Sequence, residues 1–421
     1  MRQPYVTSLG TSLFSGFGGN AEAFGRGLAQ VTNDKAALWR RLSETFIATP
    51  GSRNFGILVG ILGELNAEHP EQAGALLDSL LLNTELKAIF VRLQCSIGID
   101  GTGLGRLHRL LDQDEPFLWQ FESVGWGNEW EAVSEEDVSE LLEHLASRQG
   151  GAHVAVSALG MRVHWAKQKS LEFGAQLRLA ALEIIRKALL EDGDRRGGMF
   201  DHHLAELLTE VFLPEEAPEA CASVVSTFVE TILSPEGKSS ELDDCAIIIA
   251  RRMPGQYLTE IMYSDSPYIY NLRRLFRSRY NKPPFQEVEP GDLVEWCREA
   301  DSEKRFLFVA EEIFPFSSFG DGEDDAKPLL TNQAISLLAN APDKGKILAI
   351  LAKACLPNSW SGRRSDIIEE RRRALALALE ERPELVYPVQ VAEVLAGLDS
   401  AIETERASER REDQENEQTF E

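Results

Sequence analysis

The sequence predicts an all-α fold, an elongated α-solenoid of stacked helical hairpins, on three observations. Apolar residues recur at helical spacing in block after block of the chain. Helix starts fall every 14 to 17 positions over residues 52–100, counted from the cap position, which is His69 for the helix opening at Pro70. No stretch shows the sustained alternation of apolar and polar residues that builds a sheet. Two helices per unit give a repeat of roughly 30–34 residues, within the range of helical-hairpin repeats. One hairpin cannot bury its apolar stripe alone, so its neighbours must stack on it to create a core.

The elements follow in order. Ser52 can cap a helix through Phe55, Leu58, Val59 and Leu62. Pro70 suits a first helical position, because its missing N–H has no partner there anyway, and Ala73, Leu76, Leu77, Leu80 and Leu81 follow on one face. Asn83 caps a third helix and Asp100 a fourth, with Leu104, Leu107 and Leu111. Ser134 and Asp137 form a capping-box-like start before Val138, Leu141, Leu142 and Leu145. A longer helix is expected from about Ser170 to Glu191, with Leu177, Ala181, Ile184, Ile185 and Ala188 on one face. Asp343 can cap a helix with Ile347, Ile350, Leu351 and Ala354, stopped by Pro357 and Asn358. Three segments interrupt this rhythm. Residues 120–132, with Trp119 just before them and Trp126 and Trp130 within, read as a loop packed on its own aromatics. Residues 314–327 carry the acidic run Gly320 to Asp325 and read as an exposed loop. Residues 399–421 hold nine acids and three Arg; their beginning can extend the last helix, and their end should fray.

Composition narrows the function classes. The chain has 421 residues, 43% hydrophobic and 26% charged, close to globular averages. Its 68 acidic residues against 43 basic ones give a net charge of −25, which argues against broad binding to duplex DNA or anionic membranes. Cys95, Cys221, Cys245, Cys297 and Cys355 are widely spaced, form no CxxC pair, and read as buried free thiols in a reducing compartment. The start has a single Arg and no apolar core of a secretory signal, and the longest strongly apolar stretch, about Phe55 to Gly63, is far short of a membrane span. A cytoplasmic location, no membrane association and no cofactor are therefore expected.

The motifs that would carry chemistry are weak. Ile232 to Ser239 ends in Gly-Lys-Ser, but Ile232 stands where a phosphate loop needs Gly, and Val224, Val225, Phe228 and Val229 have helical spacing. Gly101-Thr-Gly-Leu-Gly105-Arg106 lacks the later glycine of a dinucleotide loop and reads as the start of the helix capped by Asp100. His203 and Glu206 are three apart, and His202 and Glu206 four apart, so a shared helix face could begin a metal site. The structural alternative is a solvated helix end. His108 lies near an apolar stripe and reads as a packed histidine.

One local charge exception stands out. Residues 268–282 hold Arg273, Arg274, Arg277, Arg279 and Lys282 with Tyr268, Tyr270, Phe276 and Tyr280, and no acid. Guanidinium forks pair with phosphate or carboxylate, and aromatics stack on bases. The candidate binding residues are therefore Arg273, Arg274, Arg277, Arg279 and Tyr280, facing an anionic partner. The alternative is a helix neutralising Glu287, Glu289 and Asp292.

Pro357-Asn-Ser-Trp-Ser-Gly-Arg-Arg364, Ile367-Ile-Glu-Glu-Arg-Arg-Arg-Ala-Leu375, Glu381-Arg-Pro-Glu-Leu385 and the charged ending from Glu403 carry a resemblance. Together they resemble the C-terminal end of large bacterial STAND-type NTPases implicated in antiphage defence. In that family a nucleotide-binding module precedes a long helical-repeat region used for sensing. The resemblance implies a sensor region without its NTPase module, either a truncated product or half of a split system, and so no catalytic residue. The Trp360-Ser361-Gly362 segment reads as a turn leading into a helix, with a buried Trp.

The expectation is an α-solenoid of HEAT-like or TPR-like hairpins, with a capping or docking segment over 1–50. Helical-hairpin repeats follow over 51–265 and further repeats over 266–400, before the charged tail of 401–421. The expected function is non-catalytic protein recognition within a defence assembly, with an NTPase or a phage protein as partner. Two alternatives are kept: a metal-dependent hydrolase or nuclease using His202, His203 and Glu206, and a single-stranded nucleic-acid binder through 268–282. The clustered Leu13, Phe14 and Phe17 suggest that the N-terminal end docks on another chain.

Overall fold

Short helices with a single apolar stripe are marginal in water, so each must be covered by others. The computed structural model describes residues 12–15, 20–51, 53–113, 117–126, 132–169, 173–191, 198–235, 242–268, 284–316, 329–357 and 360–419. Among the described residues every regular element is helical, and the one β-type pairing is an isolated bridge between Phe316 and Leu330. None of these helices is long and apolar enough to cross a membrane. The chain divides into two compact units, Met1–Val224 and Val225–Glu421. The division falls within the 51–265 stretch expected as one set of repeats.

The first unit opens with α1 (Ser12–Ser15), α2 (Ala21–Gln30), α3 (Lys35–Ala48), α4 (Gly56–Glu68) and α5 (Pro70–Leu80). Then come the short α6 (Thr84–Lys87) and α7 (Phe90–Cys95), α8 (Gly101–Leu111) and a 3-10 helix, Leu118–Gly125. The unit continues with α9 (Glu135–Ala146), α10 (Gly151–Lys169), α11 (Ala175–Leu190) and α12 (Gly198–Val211), and α13 (Pro218–Ile232) begins in it. Helices α2 and α4 touch at the level of their backbones. A Cβ on Gly25 would stand 2.1 Å from the Ile57 carbonyl oxygen, and one on Gly60 would stand 2.0 Å from that of Glu22. Further along, α9 packs against both α10 and α11, and α10 against both α11 and α12.

Several helix starts match the sequence. Pro70 occupies the first turn of α5, and the Asn83 side chain accepts from the N–H groups of Glu85 and Leu86. Asp100 accepts from Gly103 at 2.7 Å, and Ser134 and Asp137 complete a capping box. Other readings change. Ser52 lies outside the described residues, and it is the Asn54 carboxamide that accepts from Gly56 N–H at the start of α4. The long helix begins at Ala175 rather than near Ser170, with residues 170–172 outside the described set; its five expected apolar residues are all buried. Leu13 and Phe14 are buried within the chain, with Phe14 edge-on to Phe46, so they form no exposed docking patch; Phe17 lies outside the described residues. Trp119 and Trp126 are exposed, and Phe121 is the buried aromatic of the 3-10 helix, so these two tryptophans do not close the segment; Trp130 lies outside the described residues.

The second unit takes up α13 at Val225 and continues with α14 (Asp243–Arg252), α15 (Pro254–Met262) and a 3-10 turn, Pro284–Glu287. It goes on through α16 (Pro290–Glu299), α17 (Ser302–Glu312), α18 (Asn332–Asn340), α19 (Lys344–Lys353), α20 (Arg364–Glu381) and α21 (Pro388–Thr419). Helix α16 packs on α17 and α18, α17 on α19, and α19 on α18 and α21. Asp343 caps α19 as expected, accepting from Lys346 N–H at 3.0 Å. Trp360 is half exposed beneath the Arg364 guanidinium, 4.7 Å from its ring centre, which corrects the buried Trp expected there.

The charged tail also differs from expectation. Helix α21 runs through it to Thr419. Ion pairs Arg372–Asp399, Arg364–Glu405 and Arg363–Asp413 hold it to α20 and the turn before it, with N–O distances of 2.9, 3.1 and 2.9 Å. Glu409 accepts from both the N–H and the hydroxyl of Ser365, at 3.0 and 2.6 Å, and so caps α20 from a neighbouring helix. Burial raises the Glu409 pKa, and the Ser365 bonds together with Arg363 and the Arg364 N–H more than reverse that, leaving it lowered.

Two expectations follow for stability. Gly60→Leu should cost about 3 kcal/mol or more in denaturant unfolding, because the contacting atoms are backbone and cannot rotate away. Gly27→Ala, at a helical position with open space, should instead gain roughly 0.5–1 kcal/mol. Equal effects at the two sites would refute the close crossing. Ser365→Ala should cost about 1 kcal/mol by removing one acceptor contact to Glu409, as read from the same unfolding curves.

Candidate functional site

The basic–aromatic patch springs from a well-built frame in the second unit. Arg273, Arg274, Arg277, Arg279 and Tyr280 themselves lie outside the described residues. On its N-terminal side α15 ends at Met262, and Ser266 ties the following turn to Leu233 by a 2.9 Å bond from its hydroxyl to the carbonyl oxygen. On its C-terminal side the chain returns at Pro284 and Phe285, both buried. Tyr257, Phe285, Phe308 and Trp296 form a chain of ring contacts, each step 6.4 Å between centres. Trp296 donates to Thr259 at 2.9 Å. Arg305, 6% exposed, lies 4.3 Å from the Trp296 ring centre, donates to the Trp296 carbonyl at 2.6 Å, and reaches Glu299 at 3.3 Å. Glu287, one of the acids that the patch could have neutralised, is paired with Arg251. Asp292 sits in the first turn of α16, where a helix N-terminus favours negative charge.

The histidine motif on α12 does not assemble a metal centre. His202 is exposed and stands 3.6 Å from Glu206. His203 is 8% exposed, and its Cβ and Cγ fill the space that a side chain on Gly160 of α10 would need. Its Nδ1 has no hydrogen-bond partner among the described residues. Adjacent residues on a helix point about 100° apart, so one ring is solvated while the other packs. Among the described residues no group of three or more His, Cys, Asp and Glu stands close enough to hold a metal ion.

A second pair of histidines meets across α8 and α9. His108 Nδ1 and His144 Nδ1 are 2.9 Å apart, and Asp112 lies 3.4 Å from His144 Nε2. Burial, together with the neighbouring His144, pushes the His108 pKa below its ordinary value. Sequence reasoning placed His108 in the packing but missed its partner. The signal was its separation of 36 residues, close to one hairpin.

The remaining motifs resolve as structure. Arg106, from the glycine-rich segment, is buried and forks onto Asp78 at 3.2 and 3.1 Å while also donating to the Gly74 carbonyl. Val224, Val225, Phe228, Val229 and Ile232 are buried on α13, and residues 236–241 of the Gly-Lys-Ser segment lie outside the described set. All five cysteines are buried. Burial pushes the Cys297 and Cys355 thiols up to about 12, against the opposing pull of Arg305 and Arg371, so neither is a ready nucleophile at neutral pH. Comparison with protein-family models and with curated proteins finds no match for the chain.

A pH dependence follows from His203. Burial, then His202, lowers its pKa against the pull of Glu206. A depressed folded value means that the unfolded chain binds the proton first, so this contribution is present above the ordinary value of about 6.5 and is lost as pH falls through the folded value. Melting temperature should therefore drop between about pH 7 and pH 5. His203→Phe, which keeps a flat ring against Gly160, should reduce that drop while leaving stability at pH 7.5 within roughly 1 kcal/mol of the parent. An unchanged drop would exclude His203 as its source.

Proposed function

We propose that the chain is a non-catalytic protein-recognition module, a solenoid of HEAT-like hairpins whose basic–aromatic segment engages an anionic partner surface. One observation carries the architecture: side chains at one-hairpin separations are tied together through both units. In the first unit Lys35–Glu68, Arg53–Glu85, Arg106–Asp78 and Glu135–Gly174 join residues 33, 32, 28 and 39 apart. In the second, Ser226–Glu260, Thr259–Trp296, Tyr263–Asp301 and Glu303–Lys346 join residues 34, 37, 38 and 43 apart. Stacked repeats place equivalent positions of successive hairpins side by side. The contacts of α9 with α11, α10 with α12, α16 with α18 and α17 with α19 support this reading, in which first helices would lie on first helices and second on second. Of these separations 33, 32 and 34 fall within the expected 30–34 residues, and the others are 28, 37, 38, 39 and 43.

The binding reading rests on the composition of residues 268–282, which hold five basic residues and no acid in a chain of net charge −25. Arg and Tyr are the residue types that most often dominate the energetics of a protein interface. The resemblance to the sensor end of STAND-type NTPases supports an NTPase or a phage protein as partner, in a cytoplasmic defence assembly. The metal-dependent hydrolase or nuclease loses its support with the separation of His202 and His203. The single-stranded nucleic-acid binder keeps the same five residues.

The test is retention of partners by the tagged full chain, in its host with and without phage challenge, compared with an Arg273→Ala/Arg274→Ala/Arg277→Ala variant. A stoichiometric NTPase or phage protein should be retained by the parent and lost at least roughly tenfold by the variant, about 1.4 kcal/mol. Equal retention by both would remove the patch from the interface. Recovery of nucleic acid with steep salt dependence would instead favour the nucleic-acid reading.

A further inference from the structure

We propose that the His108–His144 contact is an acid-sensitive joint that holds α8 against α9 at neutral pH and releases it when both rings are protonated. The two Nδ1 atoms are 2.9 Å apart, with ring centres 5.2 Å apart and planes 17° from parallel. At that distance one nitrogen must donate and the other accept. A neutral pair meets this with one N–H between the rings, and one added proton keeps it as a charge-assisted bond. A second added proton leaves two donors and two like charges facing each other. The contact therefore survives the first added proton but not the second.

The surroundings set the order of events. From α9, Asp137 and Glu140 face His108, and Asp112, which ends α8, stands by His144. From α5, Asp78 is engaged by Arg106 and Arg109 and is not available to a new cation. Burial of His108 and the presence of His144 outweigh the three facing carboxylates and hold the His108 pKa below its ordinary value. A further tie spans the same junction, from Arg148 to the Gln113 carbonyl at 3.0 Å; it contains no group that titrates near neutrality. Helix α9 also rests on α10 and α11, so release frees the α8–α9 contact without requiring α9 to unfold.

Hydrogen exchange of the full chain at pH 7.5 and 5.0, corrected for intrinsic rates, tests the joint. Amides of residues 101–112 and 135–147 should lose protection on acidification by on the order of tenfold, equivalent to one pKa unit of differential interaction. His108→Gln and His144→Gln each keep a neutral hydrogen bond across the contact; both should retain protection at pH 7.5 and lose most of the acid response. An acid response equal in parent and both variants, or none in the parent, would overturn the proposal. Should either variant fold poorly, the histidine Cε1 resonances of the parent decide it: two coupled steps support the joint, and two independent steps near pH 6.5 refute it.

Discussion

A helix of ten to fifteen residues with one apolar stripe gains too little from its own hydrogen bonds to persist in water. In both units neighbouring helices cover such stripes, as α10 and α11 do for α9 and α17 and α18 do for α16. The most demanding case is the α2–α4 crossing, where Gly25 and Gly60 bring two backbones together with no side chain between them. Such an approach maximises dispersion contacts, but it works only while both positions stay bare. C-terminal to that crossing, α4 packs in turn on α5 and α7.

Charge plays a different part. A net of −25 leaves the surface self-repelling, and the few basic residues are placed where they hold elements together. Arg106 and Arg305 are buried and spend their forks on a carboxylate and a backbone carbonyl each. Burying a guanidinium is costly, and these contacts offset part of that cost. On the α20–α21 pair the arginines bridge exposed acids, where each pair contributes little alone but several together fix the register of the long last helix. Against that background, residues 268–282 are unusual in carrying five cations without an acid among them.

Helix starts were the most legible feature. Asn83, Asp100, Ser134, Asp137 and Asp343 all act as caps, because a cap is a local bond between a side chain and an N–H two or three residues on. Apolar stripes were legible for the same reason: the period belongs to one helix. Aromatic placement was not. Trp119, Trp126 and Trp360 are exposed while Phe121 and Trp296 are buried, and only the neighbours of each ring distinguish these cases. Of the candidate chemistry, the His202–His203–Glu206 motif was visible in the sequence, but its failure was not. One ring packs against Gly160, some forty residues earlier in the chain.

By itself, then, the sequence determined that the fold is helical, several caps and much of the inward face of the helices it outlined, all from interactions spanning four residues or fewer. Tertiary structure alone decided which helices touch, that Arg106 meets Asp78, that His108 meets His144, and that Glu409 caps α20 from another helix. Those contacts join positions 28 to 44 residues apart. At such separations loop-closure entropy favours no partner strongly, so the choice belongs to packing rather than to local pattern.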